Sequence, residues 1–322
     1  MGKPPLAAFE QGFRADGARL HGLSAARPLQ VDDVKRRNEY LIFIAPALVA
    51  LVLVVILPTI FLYYVSLTNY SLTSGWEAKR FIGLENYFFL LFKDPLFWKS
   101  LGLTVLFVLT TVSVELVLGM LIALGLGRLK LSRRLILAII IIPMVCTPSI
   151  IGLMWKLILN TEYGVANYLL GLAGLGKVNW LGAQNAFASV VLVDLWQWTP
   201  FMVLMLHAAL TSLPLEPFEA ARMDGASALQ TFFGITLPMI SRLVLIALIL
   251  RLIDSIKVFD IIYSLTLGGP GTATELLSLR IYRIGFQHSN MVGRASAYAV
   301  IMILAISPFF TRLSGLLNRN SK

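Results

Sequence analysis

Residues 216–238 read EPFEAARMDGASALQTFFGITLP, and they lie between two strongly apolar segments. The stretch is too polar to face lipid and too helix-prone to be a loose linker. Ala220, Ala221, Ala226 and Ala228 favour helix, and Pro217 is tolerated only in a first turn. Phe218, Ala221, Ala226 and Leu229 make an intermittent apolar stripe at helical spacing. Gly225 permits a turn or a close backbone approach. Pro238 is expected to limit helix extension just before the next apolar run. A short helix outside the bilayer invites a partner protein.

The composition sets the class. The chain has 322 residues, of which 57% are hydrophobic and only 14% charged, and its mean hydropathy is +0.79. Soluble domains carry about a quarter charged residues, so a soluble domain is excluded on charge content. One cysteine, Cys146, sits in an apolar run, so no intramolecular disulfide can form. Forty mostly polar residues precede the first apolar run, which does not read as a secretory signal peptide.

Six segments are long enough to span a bilayer. They are 41–65, 101–126, 135–156, 187–212, 243–263 and 295–311. The second is interrupted by Glu115, which is expected to be buried. With the N-terminus inside, sixteen Lys and Arg fall in cytosolic parts and seven in outer parts, with Arg294 counted at a span edge. The loop bearing Arg128, Lys130, Arg133 and Arg134 is the clearest single vote for this orientation. The formal charge of +10 then suits anionic lipid headgroups at the inner face and calls for no nucleic acid. The same orientation puts 213–242 in the cytosol. Outside, residues 76–100 mix aromatics with charges and read as interfacial helices, and a short amphipathic helix is expected at Val165 to Leu172.

Charged groups within spans face partners or a wet path. Arg251, Asp254, Lys257 and Asp260 are spaced by three and are expected to pair along one face of the fifth helix, either as a packing ladder or as a polar path for a hydroxyl-rich solute. Residues 194–201, DLWQWTPF, place Asp194 and Gln197 beside Trp196, Trp198 and Phe201. Carboxylates and amides suit sugar hydroxyls and aromatic rings suit sugar faces, while interface-belt tryptophans are the rival explanation. Pro200 can open the local backbone ladder, and Gly268, Gly269 and Pro270 end the fifth helix and turn the chain. His207 reads as a packed helix residue, and His21 and His288 are isolated. No cluster has metal-ligand spacing and no GxxxxGK[ST] loop is present, so no catalytic or metal residue is assigned and ATP hydrolysis is not expected of this chain.

The 216–238 stretch resembles the EAA loop of the transmembrane subunits of bacterial ATP-binding-cassette importers. The resemblance rests on Glu219, Ala220, Ala221, Gly225, Ile235, Leu237 and Pro238, with Asp224 beside the glycine. LWQWTPFMVLMLHAALTSLP, EAARMDGA and FDIIYSLTLGGP resemble the sugar-permease branch, and the similarity covers most of 40–317. The resemblance implies an all-α membrane protein with the compact six-span, type I importer permease fold and a coupling helix that docks on an ATPase. It implies these partners: a second homologous permease subunit, two ATPase subunits that hold ATP and Mg, a periplasmic solute-binding protein and membrane lipid. It places the solute path near Asp194, Trp196, Trp198 and Phe201, and near Asp254, Ser255, Lys257 and Val258. Asp194, Trp198 and Asp254 depart from the family's maltose site, so the solute stays open among sugars, sugar acids, polyols and glycerol-phosphate derivatives. Gly83, Leu84, Asn86 and Tyr87, with Gly164, Asn167 and Leu170, resemble recurring outer-loop residues of carbohydrate permeases, which read equally as docking or mouth packing. The implied division is a cytosolic segment 1–40, a permease domain 41–317 containing the coupling loop 213–242, and a tail 318–322, in the bacterial inner membrane with both termini cytoplasmic. An ion-coupled secondary transporter or a membrane scaffold would leave the coupling loop unexplained.

Overall fold

A computed structural model describes residues 43–127, 133–287 and 290–319. The segment 1–40, Arg128, Lys130, His21, His288 and the last three residues lie outside the described residues. The chain divides into two compact units, one ending at Phe61 and the other running from Leu62 onward.

Each described element is helical. Helix α1, Phe43–Ser66, is apolar throughout and has a π turn at Val52–Ile56. Within the second unit, α2 (Glu85–Phe92) precedes α3 (Pro95–Gly127), and Asp94 starts α3 by accepting the Leu96 N–H at 3.0 Å. Next come α4 (Arg133–Val145), α5 (Pro148–Ile158), α6 (Val165–Leu172) and α7 (Ala186–Thr211). The polar 216–238 stretch begins with α8 (Glu216–Met223). After it run α9 (Ala228–Ile256), α10 (Asp260–Leu265), α11 (Leu277–Tyr282) and α12 (Val292–Arg319).

Five described helices are long and apolar enough to cross a membrane, or six if the bent pair α4–α5 is one span. This is the expected all-α, multi-span architecture, and α6 falls on the residues expected of it. Four expectations need correction. The third span is not one rod, because α4 and α5 meet at 96°. Thr147 precedes Pro148 and is extended (ψ 128°), as a residue before proline prefers, and Pro148 then opens α5.

The fifth span does not run 243–263. It starts earlier, as α9, and stops at Ile256, with a non-helical break before α10. Pro238 does not end a helix either. A π turn at Phe232–Thr236 sends the Leu237 N–H to the Phe232 carbonyl, so the residue lacking an N–H falls at a seam and the helix passes through. Pro200 likewise lies inside an unbroken α7.

Helices α3, α5, α7, α9 and α10 share one apolar core, with Phe107, Val193, Met202, Leu206 and Ile262 fully buried. The α3–α7 crossing is tight because of Gly119, where an added Cβ would stand 2.6 Å from the Met202 Cβ. A smaller core joins α2, the start of α3, α11 and α12 through Leu90, Phe97 and Tyr298.

Candidate functional site

The polar segment around α8 is built from its caps. Pro217 sits in the first turn of α8, as its fixed φ requires. The helix ends in two reverse hydrogen bonds, Ala226 N–H to Ala221 O at 2.9 Å and Gly225 N–H to Arg222 O at 3.1 Å. That is the Schellman arrangement, which needs a left-handed residue after the cap. Gly225 supplies it at φ +74°. Ser227 then opens α9 with a capping box to Gln230. Ala221 is buried beneath α8, while Glu219, Ala220, Asp224 and Gly225 face outward. Met223 is 88% and Leu215 72% exposed, an apolar surface that water alone serves poorly. Ile235 and Leu237 are half-buried where α9 enters the core, and Pro238 is exposed.

The intramembrane charges form the expected ladder only in part, and the strongest contacts run between helices. Arg251, on α9, is 1% exposed and reaches sideways. Its Nε and Nη2 donate to Glu115 of α3 at 2.6 and 2.8 Å, a bidentate pair, and Nη2 also donates to Asp194 of α7. Its guanidinium stands 5.2 Å from the Trp198 ring centroid. Asp254 is a looser partner at 3.7 Å and pairs with exposed Lys257 at 3.3 Å. Asp260 lies past the helix break, where it accepts from Ser149 of α5 at 3.4 Å. Two rungs of the same-helix ladder form, Arg251–Asp254 and Asp254–Lys257, but the third does not, because α9 ends before Lys257, and two neighbouring helices each offer Arg251 a closer carboxylate. Glu115 is buried, as expected.

The sequence-assigned path residues therefore fall into groups. Asp194, Trp198 and Asp254 gather around Arg251. Ser255 is buried, and its Oγ, with Asp194 Oδ1 and Gln197 Oε1, has no hydrogen-bond partner within the described chain. Trp196 turns to Trp155, with ring centroids 5.6 Å apart, and borders an apolar hollow shared with α4. Phe201 and Val258 are half-buried against the main core. Both breaks lie close together, since Gln197 donates to Cys146 O at 3.2 Å and Ser149 meets Asp260. His207 is buried with neither ring nitrogen bonded.

In the loops expected outside, Asn86 donates to the Ser66 and Thr68 carbonyls, both at 2.8 Å. Asn167 bridges Thr161, Val178 and Trp180. Both side chains are spent on holding loops. Sequence reasoning missed a second charged knot there. Asp94 accepts from Arg280 at 3.1 Å and from Tyr298, while Glu275 takes Arg280 at 3.3 Å and Arg283. Burial alone would raise the Asp94 carboxyl, but the hydrogen bonds from Tyr298 and Arg280 outweigh it and hold it below its ordinary value. The signal was present as an acid immediately before Pro95 and an Arg-x-x-Arg pair at 280–283. No group of three or more His, Cys, Asp or Glu among the described residues could hold a metal ion.

Comparisons with known proteins bear on the same elements. A family model described as "Binding-protein-dependent transport system inner membrane component" matches residues 115–321. A probable ABC transporter permease protein, y4oQ, of Sinorhizobium fredii is 40% identical, over 87% of this chain and 93% of its own. The trehalose/maltose transport system permease protein MalF of Thermococcus litoralis is 38% identical, over 83% of this chain and 90% of its own. Among solved structures, a bacterial ABC transporter involved in the import of alginate aligns at TM-score 0.77 over 90% of this chain and 99% of that one, at 22% identity, which speaks to the fold. With its apolar helices, its EAA-like stretch and these matches, this chain belongs to the family of binding-protein-dependent ABC importer permeases, as a membrane-spanning subunit that forms part of a translocation path.

Proposed function

We propose that this subunit forms half of the path of an ATP-driven importer for a sugar or sugar derivative. The observation that carries the reading is α8, a short cytosolic-side helix closed by Gly225, with exposed Met223 and Leu215 that want a protein cover. Glu219, Ala220, Ala221, Asp224 and Gly225 form the ATPase contact, and Ile235, Leu237 and Pro238 tie it to α9. The partners are a second related permease, two ATPase subunits carrying ATP and Mg, and a solute-binding protein outside. Both termini lie on the cytoplasmic side of the inner membrane, and 1–40 and 318–322 flank the permease domain 41–317.

The solute passes the face where Trp198, Asp254 and Lys257 are accessible, near the two helix breaks. Broken helices near the midplane expose backbone groups that a solute can use. Buried Asp194 and Ser255 support that face from behind. The accessible ammonium on this face, Lys257, is already paired with Asp254, and Asp260 adds a second accessible carboxylate, a balance that suits a neutral hydroxyl-rich solute better than a phosphate ester. Trehalose and maltose, the solutes named for a 38% identical relative, are of that kind. ATP-driven closure of the ATPase pair would turn the path outward, and hydrolysis would return it inward. The test is uptake of labelled trehalose and maltose, and of a glycerol-phosphate diester, by vesicles holding the complete complex. Uptake of a neutral sugar that requires internal ATP and the binding protein supports the reading. Uptake of the diester alone overturns the solute class.

A further inference from the structure

A hollow of about 1090 Å³ lies between the inner end of α3 and the α8–α9 segment. Its α3 wall runs from Leu116 through Leu121 and Leu124 to Gly127, and Phe233 of α9 faces it. Leu121 is 61% and Phe233 62% exposed. From Leu116 to Gly127 the wall rises about 16 Å at helical pitch. That is about half of a roughly 30 Å hydrocarbon core, the depth of a single leaflet. Among the described residues, Arg222, from α8, is the one charged residue lining the hollow, and it has no carboxylate partner there. Because α8 lies outside the apolar spans, Arg222 marks the aqueous end. Gly127 marks the same end, and four basic residues follow it within seven positions of sequence.

We propose that this groove holds an anionic phospholipid of the cytoplasmic leaflet, with an acyl chain along α3 and its phosphate on the Arg222 guanidinium. Three features select this occupant. The α3 wall is apolar to the depth of one leaflet, the only charge lining the hollow among the described residues is positive, and that charge sits where a headgroup would lie. A guanidinium matches phosphate oxygens in a bidentate fork. A zwitterionic lipid would satisfy the wall but gain less from the cation. The lipid would touch Phe218 and Arg222 of the helix assigned to ATPase coupling, so the anionic content of the bilayer would bear on that helix.

The test uses the complete complex in vesicles of three parts phosphatidylcholine to one part phosphatidylglycerol. Trace phosphatidylglycerol or phosphatidylcholine carrying a diazirine in the acyl chain is photoactivated, and labelled peptides of this chain are mapped. Phosphatidylglycerol should label 116–124 about fivefold more than phosphatidylcholine, the preference one guanidinium gives near an anionic surface. Arg222→Gln should abolish the preference and Arg222→Lys should keep most of it. Equal labelling by the two lipids in the native complex overturns the proposal, and so does an unlabelled 116–124, which would mean that a protein surface covers the groove. If Arg222→Gln fails to assemble, the native comparison decides alone.

Discussion

Arg251 is the residue on which three helices converge. It sits on α9 and joins Glu115 of α3 to Asp194 of α7. Removing one member of a buried charge group leaves the others unpaired, at a cost of about 3–5 kcal/mol. Arg251→Met should therefore lower the melting temperature of the purified complex markedly. The triple change Glu115→Gln, Asp194→Asn, Arg251→Met should recover most of it, because no buried charge then remains. A native melting temperature in Arg251→Met alone would remove the group from the account. Outside the spans, Asp94 gives a pH signature. Its folded-state pKa is lowered, so its stabilisation is complete above the unfolded value, about pH 4, and is lost as pH falls through the folded value. Asp94→Asn should destabilise at pH 7 and converge with the native protein in acid, as read by melting curves across pH. At this scale the sequence was half legible. Charges within spans announced that partners exist, but the choice between same-helix spacing and a neighbouring helix depends on packing. Arg251 spaced by three from Asp254 pointed to the weaker of its contacts.

At the scale of elements, two glycines carry the predictions. Gly225 closes α8 in a left-handed conformation and has open space around it, so a substitution there is opposed by backbone strain rather than by collision. Gly225→Val should cost about 1–2 kcal/mol locally, leave membrane insertion intact, and uncouple solute-stimulated ATP hydrolysis. Hydrolysis and uptake at native levels would remove Gly225 from the coupling contact. Gly119 acts by space instead. Gly119→Leu drives a side chain into Met202 and the backbone beside it, which should destabilise the α3–α7 crossing by about 1–3 kcal/mol and reduce assembled complex on size exclusion. The elements that local chemistry decides were readable beforehand. A proline in a first turn, a glycine after a cap and a serine opening α9 all act within a few residues. The breaks at Cys146–Thr147 and after Ile256 were not, because apolar runs resume within a few residues of Thr147-Pro148-Ser149 and of Lys257 and join the two sides into one span-length segment. What reveals them is the tertiary hydrogen bonding of Gln197 to Cys146 and of Ser149 to Asp260. Pro238 misled for a related reason, since a π turn absorbs the missing donor.

For the whole molecule, hydropathy locates the spans, loop charge predicts their orientation, and the family match agrees with the span pattern. The charge asymmetry predicts that a cysteine placed at Glu219 in a Cys146→Ser background reacts with a membrane-impermeant maleimide only from the cytoplasmic side. The account as a whole rests on work arriving from a separate ATPase through α8. The most direct test is solute uptake by vesicles that contain both permeases and the binding protein, with and without the ATPase pair. The account predicts uptake that needs internal ATP and the ATPase subunits and that is lost in Gly225→Val. Uptake at the same rate without those subunits, driven by a proton or sodium gradient, would contradict it.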